Sequence, residues 1–231
     1  MAKILIVLTG ARHWTLADGT EHPTGFWAEE LVAPYRAFVE AGHEVVLATP
    51  GGVVPTVDRV SLTPEVNGGP EGAEAMAAAL RDLAELGSPA ALDGVDPEEY
   101  DAVFYAGGHG PMEDLATDRD SARVLGTLLN AGKPVGLVCH GLAAALATES
   151  PDGASPFAGY RLTGFTKAEE TQTGLADRAK WLLEDRLVAL GARFSAGEPW
   201  APHVVVDRNL HTGQNPASSA RLAAELLKAL G

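Results

Sequence analysis

The chain has 231 residues, 46% of them hydrophobic and 21% charged, with a formal net charge of −14. This composition excludes a disordered or fibrous chain, and the acidic balance argues against partners that present phosphate, so neither a nucleic acid nor a membrane surface is expected. A single cysteine allows no internal disulfide, which suits a reducing, cytoplasmic setting.

The apolar N-terminal stretch is far shorter than the ~20 residues of a membrane span and lacks a small-residue cleavage pattern. It reads as a first strand over residues 4–8. Further continuous apolar runs over 44–48, 102–105 and 134–138 predict strands buried on both faces. Helical periodicity over 26–40 stops before Gly42, and over 118–130 before Gly132, each glycine in the place of a C-terminal cap. Alternating strands and helices predict a doubly wound, mostly parallel α/β sheet within one domain, 1–231. Residues 51–98 break the rhythm with a Gly/Pro/Val-rich loop (50–70) and an Ala-rich helix (71–86), and read as an insertion over one sheet edge. Beyond the fourth strand come a short helix (142–147), a Pro/Gly turn (150–159), a helix (178–190), strands at 193–196 and 203–206, and a closing amphipathic helix (216–230).

The chemistry concentrates at Lys133-Pro-Val-Gly-Leu-Val-Cys-His-Gly-Leu-Ala. A buried strand runs into Cys139 and a helix is expected directly after Gly141, the layout of a nucleophile elbow. Amides at a helix start favour negative charge, so a lowered thiol pKa is expected. A lone cysteine behind a strand is commonly just a small buried apolar residue. His140 beside it, and the carboxyl end of a central strand where open α/β sheets bind ligands, favour the nucleophile. A second glycine turn, Ala106-Gly-Gly-His-Gly, follows the neighbouring strand. Its Gly107 or Gly108 is a candidate oxyanion donor, with the His140 amide as the other. His13, His22, His43 and His203 show no metal-ligand spacing, so no metal is expected. The four tryptophans read as packing residues.

In order along the chain stand Thr24-Gly-Phe-Trp-Ala-Glu-Glu-Leu-Val-Ala-Pro, Ala-Gly-Gly-His-Gly, Val-Cys-His-Gly, Thr163-Gly-Phe-Thr-Lys-Ala-Glu-Glu and His211-Thr-Gly-Gln-Asn-Pro. Together they resemble the ThiJ/PfpI superfamily, and more narrowly its glyoxalase III and heat-shock-chaperone branch. The resemblance runs from first strand to last helix. It implies a flavodoxin-like core related to class I glutamine amidotransferases, with Cys139 on the elbow and Glu30 of the first helix reaching it. Glu170 would orient His140, with Glu169 as the alternative. It further implies a small carbonyl substrate such as methylglyoxal, no cofactor, a homodimer, and a Cys hemithioacetal on the way to a 2-hydroxy acid. Rival readings are a holdase chaperone or protein deglycase and, third, an amide hydrolase. Leu142 stands where a proline is common, and His211 where an aliphatic residue is usual; His211 is expected to be a surface exchange.

Overall fold

The computed structural model describes residues 1–231. In chain order it contains β1 (Lys3–Val7), β2 (His13–Thr15), β3 (Glu21–Pro23), α1 (Ala28–Glu40), β4 (Glu44–Thr49), α2 (Pro70–Arg81), β5 (Ala90–Ala91), β6 (Ala102–Tyr105), α3 (Arg119–Asn130), β7 (Val135–Val138), β8 (Arg161–Leu162), α4 (Lys167–Thr173), α5 (Leu183–Ala189), β9 (Arg193–Phe194), β10 (Val204–Asp207), β11 (Leu210–Gly213) and α6 (Ser219–Leu230). Seven strands form one sheet in the order β10-β11-β7-β6-β1-β4-β5, parallel throughout except for the β10–β11 pair.

Ile4 to Val7, all of β6 and all of β7 are buried, as strands covered on both faces must be. Adjacent residues of β6 show the two layers, because neighbouring side chains on a strand point to opposite faces. Phe104 meets Phe38 of α1 edge-on, with centroids 6.0 Å apart. The Tyr105 hydroxyl donates to the Ser121 carbonyl of α3 at 3.1 Å. Helices α1 and α6 therefore pack together on one face, and α3 with the 139–148 segment on the other. The buried apolar residues form one continuous cluster.

Several elements differ from expectation. The helix expected at 142–147 is a 3-10 segment, Cys139–Thr148, starting at the cysteine itself. The Ala-rich helix stops at Arg81, and the helix expected from 178 begins at Leu183. The strand expected at 193–196 is reduced to β9, which pairs with β8 outside the main sheet. The insertion extends the sheet through β5, and its helix α2 packs on α1. The β2–β3 hairpin, α4 and β11 stand in addition to the expected elements. On β11, paired to Gly136 of β7, His211 is 4% exposed and faces the α6 layer, not the surface. Burial lowers its pKa, which favours the neutral ring, and neither ring nitrogen has a hydrogen-bond partner. No helix is long and apolar enough to cross a membrane.

Candidate functional site

β7 ends in extended Val138, and the chain then turns so sharply that Cys139 takes φ +55°. A residue with a Cβ adopts that region only when the surrounding fold imposes it. The turn lifts the sulfur off the carboxyl end of the sheet. Cys139 is only 3% exposed, yet it lines a cavity of about 620 Å³, so the sulfur is reached from that cavity.

Two glycines after β6 make room around the elbow. A Cβ on Gly107 would lie 2.7 Å from the His140 nitrogen and 2.8 Å from Glu30 Oε2. Gly108 sits at φ +88°. The Gly107 N–H donates to Glu30 Oε2 at 2.6 Å, so this amide is committed and is not a free oxyanion donor as the sequence suggested. The amides of Gly108 and His140 are instead directed at the Cys139 sulfur.

Glu30 comes from the first turn of α1 and is fully buried. Its neighbour Glu29 is half-buried and lines the cavity. Burial pushes the Glu30 carboxyl up to about 8, against the hydrogen bond from Gly107 and the influence of the neighbouring Cys139 thiol. Its Oε1 has no hydrogen-bond partner. Burial also pushes the Cys139 thiol well up, the Glu30 charge adds to this, and the Gly108 and His140 amides oppose it. The lowered thiol pKa expected from a helix start is thus overturned for the resting site. The sulfur is enclosed, the following segment is 3-10, and an acid stands beside it. Two adjacent buried charges repel strongly, so the Cys139–Glu30 pair retains at least one proton at neutral pH.

On the other side, His140 Nδ1 lies 3.4 Å from Cys139 Sγ, although the two residues are adjacent in sequence. His140 Nε2 lies 2.7 Å from Glu170 Oε2. A carboxylate only accepts, so Nε2 carries the proton and Nδ1 offers its lone pair to the thiol. Burial, then His109, lower the His140 pKa while Glu170 opposes them, which favours the neutral ring. Burial alone would raise Glu170. The two imidazoles and their hydrogen bonds outweigh it and hold the carboxyl well below its usual range.

The second imidazole, His109, was not singled out from the sequence, although it sits inside the Gly-Gly-His-Gly turn. Its Nε2 is 2.8 Å from Glu170 Oε1. It stacks on Trp14 with centroids 5.0 Å apart and meets His22 edge-on, so the unforeseen hairpin supports the site. Glu170 itself rides on α4, whose start was readable as a capping box, with Thr166 and Glu169 satisfying each other's backbone amides. Glu169 points elsewhere. It accepts from the Trp200 amide and Asn215 at 2.8 Å and from Gln214 at 3.1 Å. Trp27 and Trp200, expected as packing residues, line the cavity.

His109, His140 and Glu170 place three ligating atoms within 4.8 Å of one another. Each imidazole Nε2 already holds its own oxygen of Glu170, so a cation would bind only by displacing both hydrogen bonds. The donor set is satisfied as a hydrogen-bonded relay.

A cysteine on a strained elbow at the carboxyl end of a parallel sheet, with a His–Glu relay on one side and a buried acid on the other, defines a thiol-nucleophile α/β protein. The chain belongs to the DJ-1/PfpI family, whose sequence profile matches residues 22–229. Glyoxalase 3 of Candida albicans is 30% identical over an alignment of 241 positions, covering 99% of this chain and 98% of its own. The protein/nucleic acid deglycase HchA of Staphylococcus aureus is 27% identical, covering 95% of this chain and 77% of its own. The crystal structure of glyoxalase III from Candida albicans matches with a TM-score of 0.85 at 28% identity, covering 99% of this chain and 97% of that one.

Proposed function

We propose that this protein is a glutathione-independent glyoxalase that converts methylglyoxal, or a related 2-oxoaldehyde, into the 2-hydroxy acid with net uptake of one water. The observation that carries this reading is Glu30, a buried acid with a pKa of about 8 and an unpartnered oxygen, set beside the sulfur of a strained elbow cysteine. Moving a hydrogen between adjacent carbons needs one group able both to give and to take a proton near neutral pH. The relatives named for glyoxalase activity support the same reading.

His140 Nδ1 takes the Cys139 proton, and the sulfur adds to the aldehyde carbon. The aldehyde oxygen, stabilised by the Gly108 and His140 amides, accepts a proton from Glu30 to give the hemithioacetal. Glu30, now ionised, removes the hydrogen from that carbon, while the ketone oxygen takes the proton held on His140, forming an enediol. Glu30 then returns its proton to the second carbon and takes up the hydroxyl proton from the first, which leaves a thioester and Glu30 protonated as at the start. Water hydrolyses the thioester, releasing the 2-hydroxy acid and restoring the thiol. Glu170 steadies His140 while it is charged.

The test is lactate formation from methylglyoxal in buffer free of glutathione. Lactate accumulating in proportion to enzyme supports the reading. Methylglyoxal left unconsumed, with free amines restored on a methylglyoxal-treated protein instead, would favour the deglycase alternative suggested by the HchA relative.

A further inference from the structure

Besides Cys139, Trp200 is the one non-glycine residue lining the cavity with a positive φ. Its backbone sits at φ +62°, a conformation a bulky side chain adopts only under constraint, and it remains 45% exposed. Its amide is tied to Glu169 at 2.8 Å and its indole N–H to Gln172. The indole meets Phe165 edge-on at 5.5 Å, and Phe165 lies against His140 with centroids 4.3 Å apart. An aromatic wall therefore runs from the relay imidazole to an exposed rim. Val60 and Val66 of the insertion line the same cavity while 55% and 42% exposed, so they add apolar surface to its rim.

Size and charge point the same way. About 620 Å³ is room for a drug-sized molecule, far more than a three-carbon aldehyde fills. Glu29, Asp58 and Glu65 line the cavity, and no lysine or arginine does. A carboxylate or phosphate on the substrate would meet acids and find no cation to pair with.

We propose that the preferred substrates are 2-oxoaldehydes carrying an uncharged apolar group, aryl or branched alkyl, laid against Trp200, and that Trp200 sets this preference. The proposal rests on the glyoxalase reading and names its substrate class. The apolar group is a spectator: R–CO–CHO and water give R–CHOH–COO⁻ and a proton by the steps above. It is desolvated against the aromatic wall. The product, unlike the substrate, is an anion, so the three carboxylates repel it once it forms.

The experiment compares initial-rate kcat/KM for phenylglyoxal, methylglyoxal and the phosphate ester of hydroxypyruvaldehyde, without glutathione, in wild type, Trp200→Ala, Trp200→Phe and Glu65→Lys. Wild type should favour phenylglyoxal over methylglyoxal by about tenfold or more, the discrimination an apolar pocket wall provides. That ratio should collapse in Trp200→Ala and be largely retained in Trp200→Phe. The phosphate ester should be the poorest substrate, improving relative to methylglyoxal in Glu65→Lys. Methylglyoxal turnover with no phenylglyoxal advantage, or an advantage untouched by Trp200→Ala, overturns this proposal and leaves the glyoxalase reading standing. No turnover of any of the three overturns both.

Discussion

His109 and His140 grip opposite oxygens of Glu170, at 2.8 and 2.7 Å, so one carboxylate from α4 fixes two imidazoles from two different strand ends. Only His140 reaches the sulfur. His109 is a positioning residue that acts through Glu170 and by its own ring against His140, with centroids 4.2 Å apart. Replacing it by phenylalanine keeps a ring against Trp14 but removes the donor, leaving Glu170 Oε1 only the Thr173 hydroxyl, whose single proton it shares with the Glu170 carbonyl. Loss of one hydrogen bond to a charged group should lower kcat/KM by about tenfold, mostly in kcat. Because His109 lowers the His140 pKa, its removal should also move the acid limb of the pH–rate profile to higher pH. A lower rate with an unmoved limb would mean that His109 merely fills space.

Glu30 should carry a stability cost with a definite pH window. Its carboxyl has an ordinary value of 4.5 and a folded value of about 8. Between these, the native protein holds a proton that the unfolded chain has released, so each pH unit climbed favours unfolding by about 1.4 kcal/mol. Stability from this group is therefore greatest below pH 4.5 and is lost as pH rises toward 8. Glu30→Gln keeps an acceptor for Gly107 and removes the titration. Its unfolding free energy should exceed that of wild type, with a gap that widens from pH 5 to pH 8 to about 3–5 kcal/mol, read by denaturant titration. A gap independent of pH would contradict the raised carboxyl.

The two neighbouring glutamates should separate cleanly. Glu169 is buried and accepts from Thr166, Trp200, Gln214 and Asn215. Glu169→Ala strands several buried donors and should destabilise the fold by about 3–5 kcal/mol, read as a fall in denaturation midpoint. Glu170→Gln keeps the size of the side chain and should lower the rate far more than the midpoint. Equal effects on both quantities in the two variants would refute this division of labour.

What the sequence disclosed was local. The elbow was legible because an apolar run ends on Cys-His-Gly, a pattern carried by consecutive residues. Glu30 was legible only through motif resemblance, since nothing in a helix's periodicity says which of two adjacent acids is buried. β11 escaped notice because Leu-His-Thr-Gly has no β-branched run; its place beside β7 is fixed by pairing and by the α6 layer above it. His109 and Trp200 escaped for a similar reason. One acts across a carboxylate 61 residues away and the other is strained by contacts 28 and 31 residues away, which no spacing rule encodes. The thiol pKa runs against the local pattern because enclosure by the sheet end and by Glu30 outweighs the amides that the turn supplies.

The central claim is that one sulfur and one buried carboxyl perform the chemistry together. The measurement that tests it most directly is the rate of lactate release from methylglyoxal by wild type, Cys139→Ala and Glu30→Gln, each shown to be folded by circular dichroism. Wild type should turn over without glutathione, and each variant should fall by at least about a thousandfold, because neither half of the pair can replace the other. Lactate released by either variant at a rate near that of wild type would contradict the account.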